Sequence, residues 1–359
     1  MDTPWTAYRT RLLDLDTSAL VENGSGLRFT DTALGAERVP VLVNDGGSHA
    51  CYLLSSRAHY IDYVREEIGK MPADTTTRAA GIAVAALGLG CTATHLARAV
   101  HANHWLLSTP PRRPVREEDV REMTRDLTER FPTHALTYRR IDASDERTSE
   151  AFRACGWSLV VNRPIHWWSP DELPRIAASK RGNVFRDIRA LERSGVTVAP
   201  AEPGDAADIA RLYRMLYIEK HSALNPAFTP AFFELLLRTG AQTLTVLKAR
   251  GRVGAFLAHS IDDGAVVPTV IGYDTSVAPR SIPWYRHIMA TLFQRSLAEK
   301  LPLFLSTGAA DFKRNRGAVE TLELEAVYTG HLPFVRRLPW LAVRAFMRAA
   351  VSTLDTRQI

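Results

Sequence analysis

The chain has 359 residues, 46% hydrophobic and 23% charged, which excludes a disordered polypeptide and leaves enough length for two domains. A net charge of +6 and a pI near 9.3 favour anionic partners without specifying one. Cys51, Cys91 and Cys155 have no Cys-x-x-Cys or Cys/His spacing, which argues against a disulfide framework or a zinc site.

The opening "MDTPWTAYRTRLLDLD" mixes charges from the start and has no apolar core, so no secretory leader is read there and the cytoplasm is the expected compartment. "VPVLVND" and "ACYLLSS" read as strands around Gly46–Gly47. The stretch from Ala79 to Ala97 is long enough to span a bilayer, but Ala and Gly dominate it and it contains His95. It is read as small-residue strand and helix packed inside the protein, and no integral membrane segment is expected. "REEDVREMTRDLTERF" sets Val120, Met123, Leu127 and Phe131 on one helical face. The strand "LTYRRID", the helix "SDERTSEAFRACG" and the strand "WSLVVNRPIHWW" follow.

Pro170, Pro174, Pro200 and Pro203 then punctuate the chain, as where domains join. The expected division is an N-terminal domain over 1–170, a basic inter-domain segment over 171–198, a C-terminal domain over 199–330, and an amphipathic helix over 331–359. Within the basic segment Arg175, Lys180, Arg181, Arg186, Arg189 and Arg193 outnumber Asp187 and Glu192. Such a stripe is either a solvated helix face or a surface for nucleic-acid phosphates.

Beyond it, "EPGDAADIARLYRMLYIEKHS" reads as a helix capped by Asp205, and "TPAFFELLLRTG" as a helix ended by Gly240. Lys220, His221, Ser222 and Asn225 share a polar loop that is either an acceptor pocket or an ordinary helix exit. Three strands run from Thr243 to Asp274, with turns at Arg250–Gly251 and Asp262–Gly264. The helix "WYRHIMATLFQRSLAEK", the strand "LFLSTG", the basic turn "GAADFKRNRG" and the strand "LELEAVYTG" complete the half. Glu323 and Glu325 alternate on that last strand and so share a face, pairing with Lys313 or Arg316 or facing solvent. The terminal "LPWLAVRAFMRAAVS", with Arg344 and Arg348, is an amphipathic helix expected to pack on the protein in preference to associating with a membrane, the alternative. "EAFRACGWSLVVNRPIHWW" and "ADFKRNRGAVETLELEAVY" echo each other weakly, suggesting one unit used twice.

Three pieces in this order carry a resemblance: "SKRGNVFRDIRALERSGVTV", "GYDTSVAPRSIPWYRHIMATLF" and "DFKRNRG". The chain resembles GNAT acyltransferases in tandem, and more narrowly the FemABX branch, including relatives in antibiotic pathways such as the seryl-tRNA-dependent step toward valanimycin. The resemblance implies an α/β (α+β) fold of two tandem GNAT-like domains, each a mixed, mostly antiparallel sheet flanked by helices. It implies an enzyme that forms an amide by moving an aminoacyl group from aminoacyl-tRNA to an amine, with neither cofactor nor metal. No coiled-coil heptad run is present, which favours a small amine acceptor. DNA is not an expected partner, and the oligomeric state stays open.

On the same resemblance, Lys313 stabilises the tetrahedral oxyanion, Phe312 packs beneath it, and Asp274 takes the amine proton or merely caps a turn. Tyr273, Lys220, His221, Asn225, Tyr285, Arg286 and Glu325 are the expected substrate contacts. Lys180, Arg181, Arg186, Arg189, Arg193, Arg280, Arg314 and Arg316 are the expected phosphate or tRNA contacts, unless Arg314 and Arg316 simply face water. One departure bears on the donor. A CoA-dependent relative holds pyrophosphate on the N–H groups of an Arg/Gln-x-x-Gly-x-Gly/Ala turn, whereas "APRSIPWYRH" keeps Arg280 and replaces the glycines with Ser281, Pro283 and Trp284. An acyl-CoA donor is therefore the alternative, and a non-catalytic RNA- or ligand-binding protein the third reading.

Overall fold

The computed structural model describes residues 3–47, 50–93 and 95–354. In chain order the first half contains α1 (Pro4–Asp14), α2 (Thr17–Leu20), β1 (Arg28–Leu34), β2 (Glu37–Asp45), α3 (Val64–Lys70), α4 (Thr75–Ala93), β3 (Arg98–Ala102), α5 (Glu117–Arg130), β4 (Ala135–Asp142), α6 (Glu146–Ala154) and β5 (Ser158–Trp168). The rest contains α7 (Ala178–Glu192), β6 (Thr197–Pro200), α8 (Ala206–Tyr213), α9 (Pro230–Thr239), β7 (Thr243–Ala249), β8 (Arg252–Asp262), β9 (Ala265–Tyr273), α10 (Trp284–Glu299), β10 (Leu303–Ser306), α11 (Ala310–Arg314), β11 (Val319–Tyr328) and α12 (Phe334–Leu354).

These elements form two compact units that do not follow chain order. One comprises residues 1–11, 164–222 and 227–321; the other comprises 12–163, 223–226 and 322–359. The division differs from the expected one: α12 and most of β11 group with the N-terminal residues. Strands β5 and β11 each begin in one unit and end in the other.

In the unit that holds Lys313 the strands run β5-β10-β9-β8-β7-β6. Their pairings are antiparallel except for β10 with β9. The hairpins β7–β8 and β8–β9 turn on Arg250–Gly251 and Asp263–Gly264, all four residues at positive φ, as tight hairpin turns demand. Helices α7 and α10 cover the sheet with Val184, Ile188, Leu191, Ile288, Leu292 and Phe293 against Leu247, Leu257 and Val266. In the other unit the order is β1-β2-β3-β4-β11-β5, with β3 and β4 parallel. Its core gathers Tyr60, Ile61, Val84, Val160, Val327, Trp340 and Val343. The fold class is the expected one: a mostly antiparallel sheet flanked by helices.

Several local expectations are corrected. "ACYLLSS" is a turn running into a helix, not a strand; its apolar residues Cys51, Leu53 and Leu54 are buried from the loop itself. The Ala/Gly-rich stretch is the single helix α4 rather than strand and helix, and one side of it is open to solvent instead of packed inside. Asp205 stands before α8, but its side chain accepts from Glu202 N at 2.9 Å and makes no cap bond to that helix. Cys51 and Cys155 are free thiols, and burial pushes Cys51 up to about 12, so it is no nucleophile at neutral pH. The Cys91 side chain lies outside the described residues.

Candidate active site

The parallel strands β9 and β10 pair at one register position, Leu303 opposite Val266, and Val266 N–H donates to Pro302 O at 2.8 Å. Beyond that point β9 continues to Tyr273 without a partner position on β10, so the two strands fork toward their carboxyl ends. A crevice at the carboxyl ends of parallel strands is where open sheets of this kind receive ligands. One prong of the fork ends at Tyr273–Asp274, the other at Ser306–Thr307.

The second prong is built from an unusual turn. The register of β10 on β5 shifts between Phe304 and Ser306, and Ser306 itself takes φ of 57°. Gly308 and Ala309 follow at φ of 77° and 47°. Left-handed backbone at Ser306 and Ala309 costs roughly 1–2 kcal/mol per residue, so something must compensate. Lys313 does: from α11 its Nζ donates back to Ser306 O at 3.0 Å and Thr307 O at 2.7 Å. Lys313 is buried, not part of a solvated turn, and its ammonium charge is fixed at the tip of β10.

Around it lies a layer of aromatic rings and charge. Phe312 meets Tyr285 of α10 edge-on, with ring centres 5.1 Å apart, and the Arg316 guanidinium lies 3.2 Å over the Phe312 ring. Arg316 does not face water: it is buried, bonds Phe312 O at 2.7 Å and pairs with Asp187 at 2.6 Å. Arg286 reaches the other Asp187 oxygen at 3.4 Å. Burial raises Tyr285 above the ordinary phenol range, which keeps it a neutral hydrogen-bond donor.

The remaining expected residues are dispersed. Asp274 accepts from Ser276 N–H at 2.9 Å and Ser276 Oγ–H at 2.6 Å, the geometry of a turn cap. Lys220 stands 5.7 Å over the Tyr273 ring, and His221 is exposed beside it in sequence. Asn225 belongs to the other unit, where Asn23 Nδ2 donates to its carbonyl at 2.9 Å. Glu325 also belongs there. Contrary to the expected pairing with Lys313 or Arg316, it is buried against Tyr60 and Arg139, while Glu323 takes a two-pronged contact from Arg163 at 3.0 and 3.1 Å. Arg280 is exposed between β9 and α10. Arg314 pairs with Asp311 at 2.8 Å and Glu320 at 3.2 Å. On α7, Lys180, Arg186 and Arg189 are exposed, as is Arg193 just after its end, whereas Arg181 is half-buried and donates to Leu173 O at 3.1 Å.

Sequence reasoning missed His166, Glu320 and Asp187 as site residues. His166 of β5 pairs with Ser306 across the strands, and its Nε2 lies 3.0 Å from Glu320 Oε2, too far off axis for a hydrogen bond. Burial, reinforced by the Lys313 charge, holds its pKa below the usual histidine value, so it is neutral at pH 7. A histidine between Ile165 and Trp167 in an apolar strand carried no local sign of this.

The junction of β9 and α10 tests whether the residues present fit the pyrophosphate of CoA. Ser281 N–H and Ile282 N–H both donate to Ala278 O, at 2.9 and 3.3 Å, and Trp284 N–H donates to Ile282 O at 2.9 Å. Pro283 has no N–H. The indole of Trp284 turns inward, 4% exposed, over Gly254 of β8, where a Cβ would come within 2.0 Å of the ring. The N–H groups of Ser281, Ile282 and Trp284 are thus bonded within the turn, and a standard grip on these three does not fit.

Residues 178–314, which hold the forked parallel pair and Lys313, match the family described as Acetyltransferase (GNAT) domain. Along nearly its whole length the chain is similar in structure to FemX: TM-score 0.53 at 8% identity, covering 94% of this chain and 93% of that one. The C-terminal domain of a putative lysylphosphatidylglycerol synthetase from Agrobacterium fabrum is similar over 70% of this chain and 82% of that one, at 14% identity and TM-score 0.48. The figures for L-PGS from Bacillus licheniformis are 65%, 78%, 14% and 0.46. No curated protein matches the sequence. At 8% identity the likeness to FemX shows the fold alone and leaves the substrates to chemistry.

Proposed function

We infer that the protein forms an amide bond by moving an aminoacyl group from aminoacyl-tRNA to a small amine, in a natural-product pathway. The observation that carries the choice of donor is the β9–α10 junction, whose N–H groups at Ser281, Ile282 and Trp284 are already bonded. A donor gripped there by its pyrophosphate lacks its cradle, while a donor held through a polynucleotide backbone needs none. The exposed Arg186 and Arg189 of α7, with Arg193 at its end, supply such a surface. The FemX-like fold and the FemABX-like motifs agree with this reading.

In the reaction the amine attacks the ester carbonyl, and negative charge gathers on the acyl oxygen. Lys313 meets that oxygen by exchanging one of its two carbonyl acceptors for it. The proton leaves the amine toward a neutral base, for which His166 is electrically suited, and as the tetrahedral adduct collapses the ester C–O bond breaks and the ribose hydroxyl of the tRNA leaves with that proton. The test offers the protein a mixture of charged tRNAs with a panel of amines. Amide formation that stops when ribonuclease is added supports the reading. Amide formation from acyl-CoA alone replaces it with the CoA-dependent alternative, and tRNA binding without transfer in either assay leaves a binding protein.

A further inference from the structure

Helix α4 runs from Thr75 to Ala93 with Arg78 as its only charged residue, yet one side of it faces solvent. Its Val84 points into the core, while Ile82 and Leu89 are 73% and 79% exposed. A helix with so little charge is ordinarily buried in protein or in lipid. Helix α12 packs against α4 and repeats the pattern. Trp340, Val343 and Met347 face the core, whereas Phe334, Leu338 and Leu341 are 68%, 43% and 50% exposed. Phe334, Leu338, Leu341 and Ala345 follow one another at helical spacing and form a single outward stripe. Arg337, Arg344 and Arg348 line one flank of that stripe. Arg337 is tied to Leu332 O at 2.7 Å, and Arg344 and Arg348 are exposed.

We propose that the joint face of α4 and α12 docks on an anionic lipid bilayer, with both helices lying in the headgroup plane. Apolar side chains that protrude beside long cationic ones suit that interface: the rings and aliphatic groups enter the acyl boundary while the guanidinium groups stay at the phosphates. The charge pattern favours lipid over a second copy of the chain. Neither α4 nor α12 carries an acidic residue, and Glu66 and Glu67 on the neighbouring α3 are each paired to Lys70 at 2.8 Å. A two-fold contact through this face would bring arginines together with no acid on either helix to oppose them. The docking is peripheral, since no helix among the described residues is long and apolar enough to cross a membrane. It does not depend on the reaction proposed above.

The experiment floats the full chain with vesicles of phosphatidylcholine alone or with about one-third phosphatidylglycerol, the anionic lipid supplying the surface potential. The chain is expected to float with the anionic vesicles and to be released by high salt. Arg344→Glu with Arg348→Glu should weaken that binding at least about tenfold, because each basic group near such a surface contributes measurably. Ile82→Ser, Leu89→Ser, Leu338→Ser and Leu341→Ser together should abolish it while leaving the urea midpoint unchanged, since all four side chains are exposed. A chain that stays in the soluble fraction with both vesicles overturns the proposal, as do serine variants that still float. A dimer in sedimentation velocity that the serine substitutions split would assign the face to a second copy instead.

Discussion

Replacing Lys313 with methionine keeps the length of the side chain and removes its charge and donors. Two things follow, and they can be measured apart. In the folded protein Ser306 O and Thr307 O lose their partner at 3.0 and 2.7 Å. Ser306 is half-buried and Thr307 exposed, so water re-bonds part of what is lost and each bond is worth about 0.5–1.5 kcal/mol. The desolvation no longer suffered by a buried ammonium offsets part of that, leaving a net loss of about 1–2 kcal/mol in urea unfolding of the unit that contains it. In the reaction, removing one preorganised charge from a developing oxyanion costs roughly 100- to 1,000-fold in turnover. Turnover of an aminoacyl ester is therefore read at a temperature where the variant remains folded, with Lys313→Arg as the control that restores a cation but not its position. Lys313→Met within tenfold of the wild-type rate, despite the stability loss, would show that this lysine only fastens the turn. Unchanged stability would refute the account of why Ser306 and Ala309 tolerate positive φ.

Three further outcomes follow from the same geometry. Burial lowers His104 to about 3 and His259 to about 4, one histidine in each unit, so the unfolded chain binds protons that the folded chain refuses. Stability is fully present above about pH 6.5 and is lost as pH falls below it, by roughly 1.4 kcal/mol per pH unit for each histidine. Urea midpoints for both units should therefore fall between pH 6.5 and 4.5, and flat midpoints would contradict the burial of these rings. Ala309→Gly relieves the left-handed alanine and should raise stability by about 0.5–1 kcal/mol, the net of steric relief and added chain entropy, as measured by urea unfolding. Arg186→Glu, Arg189→Glu and Arg193→Glu together should lower the salt dependence of tRNA binding by about two to three counterions, and an unchanged slope would remove α7 from the RNA interface.

Much of the fold was legible because its signals are local. The apolar period of α5, the Gly240 stop of α9 and the Arg250–Gly251 and Asp263–Gly264 hairpins are each decided within a few residues. The errors fall where composition misleads. Cys51, Leu53 and Leu54 look like a strand because a buried loop and a buried strand use the same side chains. The Ala and Gly of α4 suggested an interior, since small residues usually pack closely, and nothing nearby in sequence says that one side has no protein against it. Partners distant in sequence were not legible at all. Arg316 reads as a surface cation until Asp187, far back in the chain, is folded beneath it.

The loss of glycines at Ser281, Pro283 and Trp284 is visible in the letters, but by itself it only weakens a phosphate cradle. What the fold adds is that the replacing groups act. Pro283 opens α10 without a donor, the neighbouring N–H groups close on Ala278 and Ile282, and the Trp284 indole occupies space that Gly254 leaves vacant. Gly254 and Trp284 therefore form one feature, and restoring glycine at 284 alone would open a cavity beside β8 rather than recreate an anion site. Recovering a CoA grip would require new N–H groups at 281–284 as well. Because a pyrophosphate grip there would need several coordinated changes, the donor proposed is one that brings its own backbone charge to the basic face of α7.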